Sequence, residues 1–215
     1  MIEKQGRAYM FLLENILYKN ILHIDKMEIP ANQITCIVGE SGAGKSTLLK
    51  LLNSMLSADS GSIYYQDKNL EDVDPVHHRR RVVMLAQQPT IFEGTIRENL
   101  NIGLVFSEKK PKEDHELIKA MAVVHLNKNL DEDAGTLSGG EKQRLALARV
   151  YLMEPEVYLL DEPTAALDEE TEEVVIGNFI KKVKEKDQSL IMITHSQKIA
   201  TKYGDYMITL EKRVV

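Results

Sequence analysis

Two glycine-rich stretches lie where helices are predicted to begin, and both suit anions. GESGAGKST (Gly39–Thr47) fits the pattern G-x-x-x-x-G-K-[ST]. Across Gly39, Glu40, Ser41, Gly42, Ala43, Gly44, Lys45, Ser46 and Thr47 the glycines let the backbone curl, so that successive N–H groups point inward at phosphate oxygens. Lys45 supplies a mobile charge for β- and γ-phosphates, and the Ser46 hydroxyl suits Mg²⁺. Further on, four apolar residues of VYLLDEP (Val157–Pro163) predict a buried strand that carries Asp161 and Glu162 to its C-terminal end, where open α/β sheets bind ligands. There Asp161 is suited to holding Mg²⁺ through water and Glu162 to polarising an attacking water.

The second stretch, TLSGGEKQRLALARV (Thr136–Val150), opens with Ser138 and has Glu141 three positions later, the spacing of a capping box. A cap needs only the Ser and the Glu. Gly139 and Gly140 additionally strip side chains from a helix N-terminus, where free N–H groups and the dipole favour an anion.

These residues need a scaffold, and the sequence supplies one. The chain has 215 residues, 43% hydrophobic and 28% charged, enough for one large domain with a real core. Its net charge of −6 argues against a broad nucleic-acid surface. The lone Cys36 rules out disulfides and cysteine-based zinc sites and fits a reducing compartment. The N-terminal segment MIEKQGRAYMFLLENIL mixes charge with too short an apolar run for a signal peptide, and uncharged runs elsewhere fall short of the roughly 20 residues that span a bilayer.

Apolar runs predict strands at Ile21–Ile29, Gln33–Val38, Gly61–Gln66, Val82–Ala86, Val157–Leu160, Ser189–Thr194 and Asp205–Leu210. Helices are expected over Lys45–Leu56, from Asp74-Pro75 through VHHRRR, from Thr95 to about Leu126 with a break near Lys110-Pro111, after Ser138 up to Glu154-Pro155, and near Glu169–Lys186. This alternation predicts an α/β fold with a largely parallel sheet. VHHRRR reads as a solvated helix face, Tyr9 and Phe11 as core residues, and Met10, Met27, Met84, Met121 and Met192 as core rather than metal ligands.

GESGAGKST, LSGGE, VYLLDEP, AALD (Ala165–Asp168) and His195 after LIMIT occur in the order and spacing of one family. The chain resembles the nucleotide-binding subunit of an ATP-binding-cassette (ABC) transporter over about residues 10 to 210. The resemblance implies a P-loop NTPase with a mostly parallel core, an N-terminal antiparallel β portion and a helical signature subdomain. The core is expected at residues 1–87 and 155–215, and the subdomain at 88–154. ATP and Mg²⁺ are the implied ligands.

In the family two such domains bind head to tail, and each LSGGE caps ATP held by the other subunit's P-loop. The resemblance therefore places Ser138, Gly139, Gly140 and Glu141 on a partner's nucleotide; Glu141 departs from the commoner Gln. It makes Gln87 the Mg²⁺- and water-sensing Gln, with Gln88 adjacent, His195 the switch His beside Glu162, and Asp168 a residue coupling the two sites. Tyr18 is the candidate to stack on adenine, although strict alignment through the shortened turn LYKNILHI gives Asn20 instead.

The implied function is ATP hydrolysis powering a separately encoded membrane permease. The chain would act as a homodimer when ATP-bound, cytoplasmic and peripheral on the inner face of the membrane, without nucleic acid. TIFEGTIRENL and the compact chain resemble small metal- or iron-export cassettes. A DNA-repair or ribosome-associated ABC ATPase is the rival; the first usually carries a long insertion and the second two cassettes. A P-loop kinase would leave LSGGE unexplained. A guanine-nucleotide switch fails because NKNLD puts Leu130 where the base-reading Asp belongs.

Overall fold

The computed structural model describes residues 9–212. Residues 1–8, which carry Glu3, Lys4 and Arg7 of the charges read against a signal peptide, lie outside it. In chain order, β1 (Tyr9–Tyr18), β2 (Leu22–Pro30) and β3 (Ile34–Gly39) lead into α1 (Lys45–Leu52). β4 (Ser60–Tyr65), β5 (Lys68–Asn69), α2 (Pro75–Arg81) and β6 (Val82–Leu85) follow. Three helices come next: α3 (Ile96–Phe106), α4 (Asp114–Val123) and α5 (Gly139–Leu152). The chain closes with β7 (Val157–Asp161), α6 (Glu169–Glu185), β8 (Ser189–Ile193), α7 (Gln197–Tyr203) and β9 (Tyr206–Leu210).

Two sheets form. One is antiparallel, in the order β2-β1-β4-β5; the other has the order β6-β7-β8-β3-β9 with every neighbouring pair parallel. The edge strand β9 exposes Tyr206 and Met207, whereas strands β7 and β8 are buried on both faces, so they read as continuous apolar runs. Their side chains still alternate. Tyr158, Leu160, Leu190 and Met192 join a core shared with α3 to α7, while Val157, Leu159, Ile191 and Ile193 join one shared with α1 and the antiparallel sheet. The result is a layered α/β fold with an antiparallel β portion, and helices α3, α4 and α5 pack on one another.

Some local expectations change. Helix α1 stops at Leu52, not Leu56, because Ser54 adopts a left-handed conformation at φ 55°. The break expected near Lys110-Pro111 does separate α3 from α4, each opened by its own capping box, Thr95 with Glu98 and Glu113 with Glu116. Phe11 is fully buried, but Tyr9 is half-buried and its hydroxyl donates to Asp67 at 2.8 Å.

The basic run of α2 is only partly a solvated face: Val76 and His77 are exposed, but the rest is not free. His78 is 1% exposed, its Nε2 2.8 Å from the Leu52 carbonyl and its ring edge-on to Tyr65. Arg81 and Arg80 pair with Glu156 and Glu108. Arg79 donates to the Ser54 carbonyl at 3.1 Å. The period that looked polar carries a stripe turned inward.

Candidate functional site

The parallel strands β3, β7 and β8 bring three segments to one end of their sheet. From β3, the chain turns through Gly44, which caps α1 in a left-handed conformation at φ 88°. A Cβ there would meet Leu22 Cδ2 at 2.6 Å, so the turn after β1 sits against the loop and only glycine fits. Lys45 is 7% exposed and donates to the Gly39 and Glu40 carbonyls at 2.8 and 2.9 Å, which folds its ammonium over the loop.

From β7 comes Asp161, 4% exposed and hydrogen-bonded by Ser46. Burial pushes its carboxyl up from the usual carboxylate range, the Ser46 bond only partly opposing it. Its Oδ1 is buried without a partner. A hydroxyl and an unsatisfied carboxylate oxygen are hard donors of the kind Mg²⁺ takes. Among the described residues no three carboxylate, imidazole or thiolate groups converge, so a cation at this pair would need the phosphates as further ligands.

Glu162, the next residue, has φ 47°, a strained conformation for a side chain of this size. The strain turns its carboxylate out of the strand and between two loops. Gln87 Nε2 donates to Glu162 Oε2 at 2.8 Å, and His195 Nε2 lies 2.8 Å from Oε1. Gln87, rather than Gln88, thus reaches Glu162; Gln88 lines the groove behind it. Hydrogen bonds join the predicted Gln87, Glu162 and His195, while Asp161 adjoins Glu162 at the end of β7 and Lys45 and Ser46 open α1, which packs on β7.

The second anion feature belongs to α5, which packs on α3, α4 and β6, whereas α1 packs on β3 and β7. Ser138 caps α5 and Glu141 completes the box. The glycines differ. A Cβ on Gly140 would press on the Ala166 carbonyl and Leu167 at 3.1 Å, so it answers to packing within the chain. A Cβ on Gly139 would meet nothing within 4 Å, so no packing among the described residues requires glycine there. Asp168 caps α6, accepting from the Thr171 N–H and hydroxyl at 2.9 and 2.8 Å, which hold its carboxyl below the usual range.

Tyr18 does not present a face for stacking. Alternation along β1 turns it inward to 8% exposure, and Lys19 Nζ lies 5.2 Å from its ring centroid. Asn20 sits in the exposed turn that strict alignment indicated.

Two further residues went unread in the sequence. Gln143 of α5 is 5% exposed; it donates to the Glu162 carbonyl at 3.0 Å and accepts from the Ala166 N–H at 2.9 Å. Arg149 of α5 donates to the Asn99 and Thr90 carbonyls at 2.7 and 2.8 Å and lies over the Phe92 ring. Burial without a carboxylate lowers its pKa to about 10. The only sequence signal for either is a polar residue on the apolar stripe of a helix.

Comparison with known proteins agrees with this geometry. The family model described as ABC transporter matches residues 22–165. The chain is 36% identical over 180 residues to ABC transporter I family member 17 of Arabidopsis thaliana, covering 83% of this chain and 68% of that protein. It is also 36% identical over 181 residues to the ATP-dependent permease MDL1 of Candida albicans, covering 79% of this chain but 26% of the permease. Among solved structures, a dimeric ATP-binding cassette in a post-hydrolysis state with ADP and Pi superposes with a TM-score of 0.83 at 25% identity, over 95% of this chain and 97% of that one. With its P-loop, its strand-end Asp161-Glu162 pair and its LSGGE helix all in place, the chain belongs to the ABC transporter family as an ATP-binding, ATP-hydrolysing domain.

Proposed function

We propose that two copies of this chain close head to tail around two ATP molecules, and that closure drives a separate membrane permease. The observation that carries this is Gly139: a residue bare of side chain at the N-terminus of α5, where a Cβ would meet none of the described residues. A phosphate held by a second copy's P-loop accounts for it, as does the dimeric state of the structural neighbour.

Phosphoryl transfer asks the protein for placement and charge neutralisation. Glu162 is the general base for water, oriented by Gln87 and His195, and Lys45 stabilises the transferring phosphoryl group. Ser46 and Asp161 would hold Mg²⁺, which when bound neutralises charge on the phosphates.

No helix among the described residues is long and apolar enough to cross a membrane. A groove of about 380 Å³ between β6, α3 and α5, lined by Met55, Phe92, Ile102, Phe106 and Met153, suits an amphipathic helix of the permease. Phe106 is 66% exposed there. Arg149 forms part of the groove wall and ties it to the signature helix, giving a mechanical route between partner and ATP. In this reading the chain sits on the cytoplasmic face, held peripherally through the permease.

Glu162→Gln tests the sandwich. The variant should bind MgATP, form a stable dimer in size-exclusion chromatography and hydrolyse about a hundredfold or more slowly. A variant that stays monomeric at saturating MgATP contradicts it.

A further inference from the structure

We propose that Glu141 restrains ATP-driven pairing by drawing to itself the one hydroxyl proton of Ser138 that a second copy's phosphate needs, and by setting a negative charge beside that phosphate. The proposal rests on the two-copy reading above and names what tunes it.

The geometry is local and closed. Ser138 Oγ donates to Glu141 Oε2 at 2.8 Å, and the Ser138 N–H donates to the same oxygen at 2.9 Å. A serine hydroxyl has a single proton, and an ionised carboxylate can only accept. While Glu141 is charged, the hydroxyl is therefore aimed at its own helix. The backbone N–H and hydroxyl of Ser138, with Lys128, hold the Glu141 carboxyl down at about 2, so it is ionised throughout the working range.

Capping does not require that charge. Gln fills the same position of a capping box, and its amide NH₂ can donate to Ser138 Oγ, which turns the O–H outward. The sequence instead has a carboxylate and supplies a counter-charge: Lys128 Nζ lies 3.1 Å from Glu141 Oε1, with Glu132 further off at 3.8 Å. Glu141, in the first turn of α5 with Gly139, and its partner Lys128 thus set opposing fields at the helix end where this reading brings a second copy's phosphate. The pair makes the ATP concentration needed for pairing a property of this helix end as well as of the P-loop.

The test uses the full chain in a Glu162→Gln background, with dimer fraction read by analytical ultracentrifugation against MgATP. Adding Glu141→Gln should lower the half-maximal MgATP roughly tenfold, and Lys128→Gln should raise it about fivefold. Both shifts should shrink as salt rises. A merely structural loss of the cap cannot strengthen pairing, and thermal unfolding of each variant checks that the fold is kept. If the parent pairs but Glu141→Gln leaves its midpoint unchanged or raises it, the restraint is refuted and the sandwich stands. If the parent does not pair, the two-copy reading falls and takes the restraint with it.

Discussion

The side-chain amide of Gln143, on α5, donates to the backbone carbonyl of Glu162 at 3.0 Å. Its oxygen accepts from Ala166 at 2.9 Å, so one buried residue of the signature helix holds both ends of the turn after β7. The proposed base and the helix proposed to cap a second copy's ATP are therefore fastened together within a chain.

Gln143→Leu should lower kcat about ten- to hundredfold by loosening Glu162, while KM for ATP stays within about twofold because the P-loop is untouched. Steady-state kinetics separate the two. A rise in KM alone would mean that Gln143 acts on nucleotide binding instead.

Asp161→Asn should stabilise the resting fold and abolish turnover. Burial disfavours the Asp161 carboxylate, so a neutral isostere removes a standing cost. Loss of the hard oxygen donor should cut MgATP hydrolysis about a hundredfold or more. Thermal unfolding and phosphate release, measured on one preparation, should move in opposite directions.

Tyr18→Ala should behave as a core truncation. With the ring 8% exposed, the expected loss is about 3–5 kcal/mol in denaturant unfolding. Preference between ATP and GTP, measured on whatever fraction remains folded, should not change. A selective loss of ATP affinity with stability intact would return Tyr18 to the base.

The placement of Tyr18 shows where sequence reading stops. Gly44, Lys45 and the VYLLDEP strand were legible because their chemistry is local: a loop that must bend at positive φ, a charge beside it, an apolar run ending in carboxylates. Most of the strand and helix order was legible from periodicity for the same reason, but β1, β5 and α7 were not. Tyr18 was not, because one residue of register in the shortened turn decides whether a side chain faces core or solvent. His78, Gln143 and Arg149 depend on partners distant in sequence, Leu52, Glu162 and Thr90, which no local pattern encodes. Asp168 was half legible: its helix cap is visible in the structure, and its coupling role awaits a dimer.

His78 makes a pH prediction. Burial lowers its pKa below the ordinary 6.5, so the unfolded chain takes up a proton that the folded chain refuses. Its contribution is complete above the unfolded value and is lost as pH falls through the window beneath it. Unfolding free energy should therefore drop between about pH 7 and pH 5 more steeply for the parent than for His78→Gln. Parallel curves would assign the acid sensitivity to other groups.

The central claim is that a working site needs two chains, and the dependence of ATPase rate on protein concentration tests it most directly. At saturating MgATP, turnover per chain should rise with chain concentration and level off once dimers predominate. Turnover per chain that stays constant down to dilutions where sedimentation shows only monomer would contradict it.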